Sequence, residues 1–473
     1  MISLTLAEIA TATQGELLNV HDEQLSINIV CTDTRNIEKA CLFIALQGDT
    51  FDAHQFVDVA QQQGAQVLLV HQQVNVQIPT ILVTDTRIAL GLLSAYVKTK
   101  ISNLKCAAIT GSNGKTTTKE MLSSILNSFS DSENAVLATA GNFNNDIGLP
   151  LTLLRLTAQN RFAVVELGAN HQGEIAYTSN LAKPDVALIN NVMPAHLEGF
   201  GSIEGVAKAK GEIWSSLTSC GTGVVNLDAK FSLQYIKQLN EQNSQVFTFS
   251  QNDKAATLFA SDISFDQLGC ATFTLNYQQQ SEQVSLNIAG QHNVSNALAA
   301  ASMALVLGCD LSVIAIGLSQ LNEVAGRVNS TFVTDNLLLI DDTYNANSAS
   351  LKAAIDLLMQ CSGKKTLIFA DMGELGKYSE EEHRSVGEYA AKKGIDTLLT
   401  LGKYTSFTHE TFIKFSGQTA KHFADKSELK AHLTPYLQQI SNEKLTVLVK
   451  GSRSAIMEEI VAYIKQPQNR KTS

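Results

Sequence analysis

The sequence is poor in the features that mark secreted, membrane-spanning and nucleic-acid-binding chains. None of its apolar runs approaches the roughly 20 residues that a membrane-spanning helix requires. Residues Met1 to Glu8 carry neither a basic segment nor the apolar core of a signal peptide, so no secretory leader is expected. The seven cysteines are scattered and no two form a Cys-x-x-Cys pair, which predicts reduced thiols and a cytoplasmic location. Lysine and arginine number 35 against 45 acidic residues, a net charge of −10, and no long basic run appears. Nucleic acid and anionic membrane surfaces are therefore not expected as partners, although local amides and cations still suit small anions. There is no short-period repeat and no low-complexity segment.

What is present is a globular composition, 44% hydrophobic and 17% charged, over 473 residues. That length exceeds one hydrophobic core and predicts about two to four domains. The most informative stretch is Thr110-Gly111-Ser112-Asn113-Gly114-Lys115-Thr116-Thr117. It follows the apolar run Cys106 to Ile109 and precedes a segment of helical spacing, Thr118 to Leu126. Strand, glycine loop and helix together form a phosphate-binding loop. Glycines let backbone N–H groups turn inward, the helix N-terminus adds partial positive charge, the lysine meets phosphate, and a hydroxyl suits Mg²⁺. Ile109 stands where the longer Walker spacing has its first glycine, so the loop is a shortened variant.

Residues 1–100 read as a small α/β unit, with a helix capped by Thr5 and Glu8 and strands over 26–30, 42–46, 67–70 and 80–83. Asp33, Thr34 and Arg35 stand at a strand end, where a ligand contact and a solvated turn are equally good readings. Residues 101–322 begin with the phosphate loop. Asn142 lies in an amide-rich loop, Glu166 ends the buried strand 162–165, and His196 follows the buried strand 186–189. Both fall on the sheet edge of the phosphate loop, so Glu166 and His196 are candidates to reach a metal beside Thr116. Ser202 caps a helix through Trp214; Lys208 and Lys210 read as lying near its start, on a solvated face opposing the helix dipole. A hairpin is expected from 272–277 and 284–288. Asn293 and Asn296 open a helix, where N-capping competes with any ligand role. From 323 a doubly wound unit follows, with strands at 337–340, 366–370, 397–401 and 445–449 whose polar ends carry Asp342, Asp371 and Lys450.

These runs in this order resemble the ATP-dependent Mur ligase family. They are the phosphate loop, Gly141 to Asn145, Glu166 to Ile175, Ala195 to Glu198, Ala209 to Ile213, His292 to Asn296, Gly326-Arg327, Asp341 to Asn347, Asp371 to Gly376 and Lys450 to Arg453. The resemblance spans nearly the whole chain. It is closest to the branch that adds a D-alanyl-D-alanine dipeptide in peptidoglycan precursor synthesis. It implies three α/β domains: 1–100 binding a UDP-sugar, 101–322 a central parallel sheet binding ATP, and 323–473 a Rossmann-like ligase domain. It implies that the terminal carboxylate of a UDP-N-acetylmuramoyl tripeptide is activated by ATP as an acyl-phosphate and joined to D-alanyl-D-alanine.

Residue by residue, the resemblance implies that Lys115, with Gly111, Ser112, Asn113, Gly114, Thr116 and Thr117, holds the ATP phosphates. Thr116 and Glu166 would hold one Mg²⁺ and His196 a second, while Lys210 would become a CO₂-derived carbamate facing metal. Asn293, Asn296, Arg327 and Asp342 would bind adenine, ribose and phosphate, and Asn142 would lie near the phosphates. Asp33, Thr34, Arg35, Gly48, Asp52, His54 and Phe56 would contact the UDP-sugar. Two positions depart from the family pattern: Ala53 replaces a glycine in Asp-Gly-His, and Ser348 replaces a proline after Asn347, which implies a less rigid helix start. The Asp-Asn-Pro-Arg run of the branch acting one step earlier is missing. That branch, folylpolyglutamate synthases and a phosphate-loop protein without ligase activity remain the alternatives. The expected protein is a monomer whose third domain closes over the second, with hinges near 100 and 323.

Overall fold

Short apolar runs between polar turns fold here as strands, and they gather into three larger sheets, each from one stretch of chain. The computed structural model describes residues 1–48, 50–130, 132, 134–194, 197–321, 326–439 and 443–467. The first sheet has the order Glu16–Leu18, Thr80–Leu82, Val67–Val70, Leu42–Ile44, Val30–Cys31, parallel except at its first strand. The single strand expected over 26–30 is broken in two. Ser26–Ile27 pairs antiparallel with Leu4–Thr5, and Val30–Cys31 joins the five-stranded sheet. Between them the Asn28 carbonyl accepts from the Met1 ammonium at 2.8 Å, outside either ladder. The Thr5–Glu8 capping box is present, with N–H bonds of 3.2 and 3.0 Å.

The central sheet has nine strands. Its strand Lys105–Thr110, which leads into the phosphate loop, lies between Phe162–Glu166 and Val186–Ile189, both parallel to it. The expected hairpin forms from Cys270–Tyr277 and Gln280–Ala289, and it extends the sheet together with Leu258–Phe265. The third sheet has the order Asn329–Thr334, Leu337–Asp342, Leu445–Lys450, Lys364–Ala370, Thr397–Leu401, Thr419–Phe423, parallel but for its first strand. Both outer strands of this sheet escaped the sequence reading. They are edge strands with polar residues on their open side, so they lack a continuous apolar run.

The helix of the phosphate loop, Lys115–Phe129, packs against His292–Val306 and Leu311–Gln320. Gly317 lets one of these helices come close. A Cβ there would meet the Ile125 Cα at 2.5 Å, and the Gly317 carbonyl accepts from Ser124 Oγ at 2.6 Å. One hydrophobic core joins the first sheet to the central one. The helix Thr86–Thr99 brings Leu90 and Leu93 against Leu149, Ile175 and Leu181. The crossing near residue 100 is therefore clamped by buried side chains on both sides, which disfavours the hinge expected there. The second expected hinge and the boundary at 322/323 lie outside the described residues.

Because the helix of the phosphate loop is seated on Gly317, Gly317→Val should overpack that contact and destabilise the protein by about 1–3 kcal/mol. Urea unfolding followed by tryptophan fluorescence should show an earlier midpoint, with Trp214 reporting on the central core.

Candidate functional site

Three neighbouring strands end at one edge of the central sheet, and their ends build the site. The Lys105–Thr110 strand runs into Gly111, Phe162–Glu166 ends in the carboxylate, and Val186–Ile189 leads to Asn190 and Asn191. The loop from Gly111 to Gly114 is held mainly by those two asparagines. Ser112 N–H donates to the Asn191 carbonyl (3.1 Å) and Asn113 N–H to Asn191 Oδ1 (2.9 Å). The Asn113 carbonyl accepts from Nδ2 of both Asn190 and Asn191, each at 2.9 Å. Ser112 Oγ is bonded to Met193 on the same turn. Gly114 has φ 77°, and a Cβ on it would meet Asn190 Nδ2 at 2.4 Å and Asn296 Oδ1 at 2.5 Å, so only glycine fits.

The first helical bond runs from Thr118 N–H to the Gly114 carbonyl. The N–H groups of Lys115, Thr116 and Thr117 thus have no helical partner and face the region ahead of the helix, the arrangement that binds phosphate. Lys115 Nζ donates to the Gly111 carbonyl at 2.7 Å. Burial lowers its pKa from the usual lysine value; Glu166 and Glu374 oppose that shift and Arg327 adds to it.

Glu166 is 1% exposed, and its Oε1 accepts no hydrogen bond. The nearby Lys119 Nζ is 3.9 Å away, too far for a hydrogen bond, and is itself anchored on the Thr139 carbonyl at 2.7 Å. A buried carboxylate oxygen left open is costly unless another partner fills the place, and it fits a hard divalent cation. Among the described residues no group of three His, Cys, Asp or Glu side chains stands ready to hold an ion. The Glu166 carboxylate and the Thr116 hydroxyl are instead oxygen donors of the kind Mg²⁺ takes. His196 lies outside the described residues.

Lys210 corrects the sequence reading. Ser202 caps a helix that ends at Gly211, so Lys208 and Lys210 stand in its last turn, where cations favour the dipole. Nor is Lys210 on a solvated face: it is 4% exposed. Burial, followed by the charge of Lys115, pushes its pKa well below the usual lysine value. Periodicity could not reveal this, because the helix meets the site at its C-terminal end.

Asn293 and Asn296 do not cap their helix, which starts at His292 behind Gln291. Both are buried, and their amides form a chain. Asn190 Nδ2 donates to Asn296 Oδ1 (2.9 Å), Asn296 Nδ2 to Asn293 Oδ1 (2.8 Å), and Asn293 Nδ2 to the Ala289 carbonyl (2.7 Å). The chain ends beneath Gly114. From the third sheet, Arg327 Nη2 donates to Thr116 Oγ1 at 2.9 Å, with the guanidinium 4.1 Å over the Tyr344 ring. Asp342 pairs with Lys450 at 2.5 Å, both buried. Glu374 holds φ 62°, a strained value for a residue with a Cβ. Asp371 accepts the N–H groups of Lys403, Tyr404 and Thr405 and so starts a helix. Asn142 is exposed in the loop that follows the strand Val136–Ala138.

In the first sheet the candidates also gather at the ends of parallel strands. Asp33 N-caps the turn Thr34–Asn36 and chelates Arg35. Asp52 caps Ala53–Phe56, and Gly48 N–H closes on the Phe51 carbonyl at 2.8 Å. Ala53 needs no positive φ, so its replacement of glycine is neutral for the backbone. His54 is buried. Its Nε2 accepts from His71 N–H (3.1 Å), so Nδ1 carries the proton and donates to Asp52 (2.6 Å). Phe56 stacks on the exposed Phe51 with ring centroids 5.5 Å apart. Ser348 begins its helix behind Asn347, and a reciprocal Asn347–Ser350 cap supplies the rigidity that a proline would give. Asn190, Asn191, Lys119, Thr139 and Asn347 were not singled out from sequence; an amide directly after a buried strand beside a phosphate loop is the signal that could have flagged the first two.

Comparison with known proteins adds three family matches: Mur ligase family, catalytic domain (residues 26–129), Mur ligase middle domain (109–304), and Mur ligase, glutamate ligase domain (326–453). The UDP-N-acetylmuramoyl-tripeptide–D-alanyl-D-alanine ligase of Haemophilus influenzae is 44% identical over 98% of this chain and 99% of its own. A crystal structure of MurF from Acinetobacter baumannii superposes with a TM-score of 0.91 at 38% identity, covering 98% of this chain and 99% of that one. The MurF ligase of Thermotoga maritima in complex with ADP gives 0.79 at 25% identity, covering 92% and 97%.

The amide chain beneath Gly114 makes a specific demand. Asn296→Ala leaves the amides of Asn190 and Asn293 short of a partner, a loss of about 1–3 kcal/mol. Binding of fluorescent adenine and guanine nucleotides should weaken equally, because the loop itself loosens. A change confined to adenine would mean that Asn296 reads the base.

Proposed function

The chain belongs to the Mur ligase family, and from that membership we propose that it joins D-alanyl-D-alanine to the terminal carboxylate of a UDP-N-acetylmuramoyl tripeptide, with ATP, in peptidoglycan precursor synthesis. The observation that carries this reading is the 44% identity, over nearly the full length of both chains, to a ligase named for that reaction. ATP use is further supported by the ADP complex of a relative of the same name. Residues 1–100 take the UDP-sugar, through Asp33, Thr34, Arg35, Gly48, Asp52, His54 and Phe56. Residues 101–322 bind ATP, and 323–473 complete the ligase site. The protein acts as a cytoplasmic monomer; free cysteines and the lack, among the described residues, of any helix long and apolar enough to cross a membrane support the location.

The reaction brings anions together, and the chain's own groups offset their repulsion. Lys115 and the N–H groups of residues 115–117 hold the phosphates, with Arg327 reaching in from the third domain. Thr116 and Glu166 would hold one Mg²⁺ and His196 would help hold a second; such ions would neutralise phosphate charge and polarise the transferred group. A carboxylate oxygen of the tripeptide attacks the γ-phosphorus, and ADP leaves. The dipeptide amine then attacks the acyl carbon, and the tetrahedral adduct expels phosphate. Closure of the third domain excludes water from the acyl-phosphate.

Lys210 would add CO₂ to its neutral amine, releasing one proton and forming a carbamate, an anionic oxygen donor of the kind a divalent cation takes. Its burial and the neighbouring charge of Lys115 support this, since both disfavour an ammonium there. A phosphate-loop binding protein without ligase activity would leave that buried lysine unexplained.

Acceptor-dependent ADP release tests the reaction: D-alanyl-D-alanine should stimulate release in the presence of the tripeptide substrate, and no stimulation would sink the reading. Lys210→Ala should lose roughly 10²–10³-fold in activity and recover in part with short carboxylic acids. Because CO₂ adds only to the neutral amine, wild-type activity should fall as pH drops, and added bicarbonate should move that fall to lower pH. Normal activity in Lys210→Ala, indifferent to CO₂, would remove the carbamate.

A further inference from the structure

Arg327 and Asn347 both reach from the third domain to the phosphate loop. Asn347, the N-cap of the helix Ser348–Gln360, pairs with Asn113 at the tip of the loop. Asn347 Nδ2 donates to Asn113 Oδ1 at 2.6 Å, and Asn113 Nδ2 donates back to Asn347 Oδ1 at 3.3 Å. We propose that Asn347 is a positioning residue for ligation: paired amide to amide with Asn113, it sets where the third domain seats on the phosphate loop. This deepens the ligase reading and rests on it.

Each half of the pair is fixed before it meets the other. The Asn113 backbone is locked, its N–H on Asn191 and its carbonyl on Asn190 and Asn191, so only its side chain is left to project from the loop. Asn347 is locked by its helix cap. Its Oδ1 accepts from Ser350 N–H (2.9 Å), and its own N–H donates to Ser350 Oγ (3.1 Å). The pair therefore joins two preorganised groups, and little further ordering accompanies the contact.

The chemistry also suits the place. A lysine or arginine at 347 would seek the phosphates, and a carboxylate would repel them; a neutral amide does neither. The clasp leaves the N–H groups of Lys115, Thr116 and Thr117 untouched, so phosphate binding and domain seating are compatible. Arg327 serves the other side of the loop by binding the Thr116 hydroxyl. The two contacts together fix the third domain at two points rather than one.

The test uses the full chain with Asn347→Ser, which keeps an N-cap of comparable strength but is too short to reach Asn113. Expected are unchanged thermal unfolding, a kcat about 10-fold lower in the acceptor-dependent assay, and a KM for ATP within about twofold of wild type. Small-angle scattering with a non-hydrolysable ATP analogue should show a less compact particle than wild type. A second variant, Ser350→Ala, removes the hydroxyl of the cap but keeps the Ser350 N–H bond to Asn347 and the reach to Asn113; its loss in kcat and compaction should be clearly smaller than that of Asn347→Ser. The proposal is overturned if Asn347→Ser matches wild type in both readouts, or if Ser350→Ala reproduces its loss. Failure of the ligase reading would appear separately, as wild-type protein without acceptor-dependent ADP release, and the scattering comparison then still decides the seating.

Discussion

The conformation of the phosphate loop depends on side-chain amides. Gly111 to Gly114 has little regular hydrogen bonding of its own, yet it must hold several N–H groups convergent on one point. Asn190 and Asn191 supply what the loop lacks, and Asn296 and Asn293 carry the support down to the Ala289 carbonyl. A buried amide left unpaired is costly, so the chain holds together or fails as a unit. Gly114 is the point where it meets the loop, with no room for a Cβ. Everything the site does with phosphate starts from that support.

Around this rigid centre the charged groups are left incompletely paired. Glu166 has an oxygen with no hydrogen bond, and two lysines, 115 and 210, are held with lowered pKa values close enough to feel each other. In a purely structural core such an arrangement would be a defect. In a site that takes up anionic phosphates with hard cations, it is the state from which binding gains most. The third sheet completes the enclosure with Arg327 on Thr116 and Asn347 on Asn113.

Much of this was legible in the sequence, for physical reasons. Parallel strands buried on both faces read as continuous apolar runs, so Cys106 to Ile109, Phe162 to Val165 and Val186 to Ile189 were visible, and the polar residue ending each run marked the sheet edge. What stayed hidden depends on partners distant in sequence. Lys210 looks like one more lysine on an amphipathic helix, and only tertiary packing makes it buried. Asn293 and Asn296 have the spacing of cap residues, but the helix starts a turn earlier than the apolar pattern shows. Residues 26–30 read as one strand, whereas Ser26–Ile27 and Val30–Cys31 pair with different partners, a switch set by chain distant in sequence. The edge strands Asn329–Thr334 and Thr419–Phe423 alternate too weakly to stand out.

In the proposed reaction a carboxylate is activated by phosphoryl transfer before the amine attacks, and that order leaves an isotopic trace. The order is tested most directly with a tripeptide substrate carrying ¹⁸O in its terminal carboxylate. After turnover with ATP and D-alanyl-D-alanine, the released phosphate should carry one ¹⁸O atom by mass spectrometry, because that oxygen bridges carbon and phosphorus in the intermediate. Unlabelled phosphate accompanying the ligated product would exclude an acyl-phosphate intermediate.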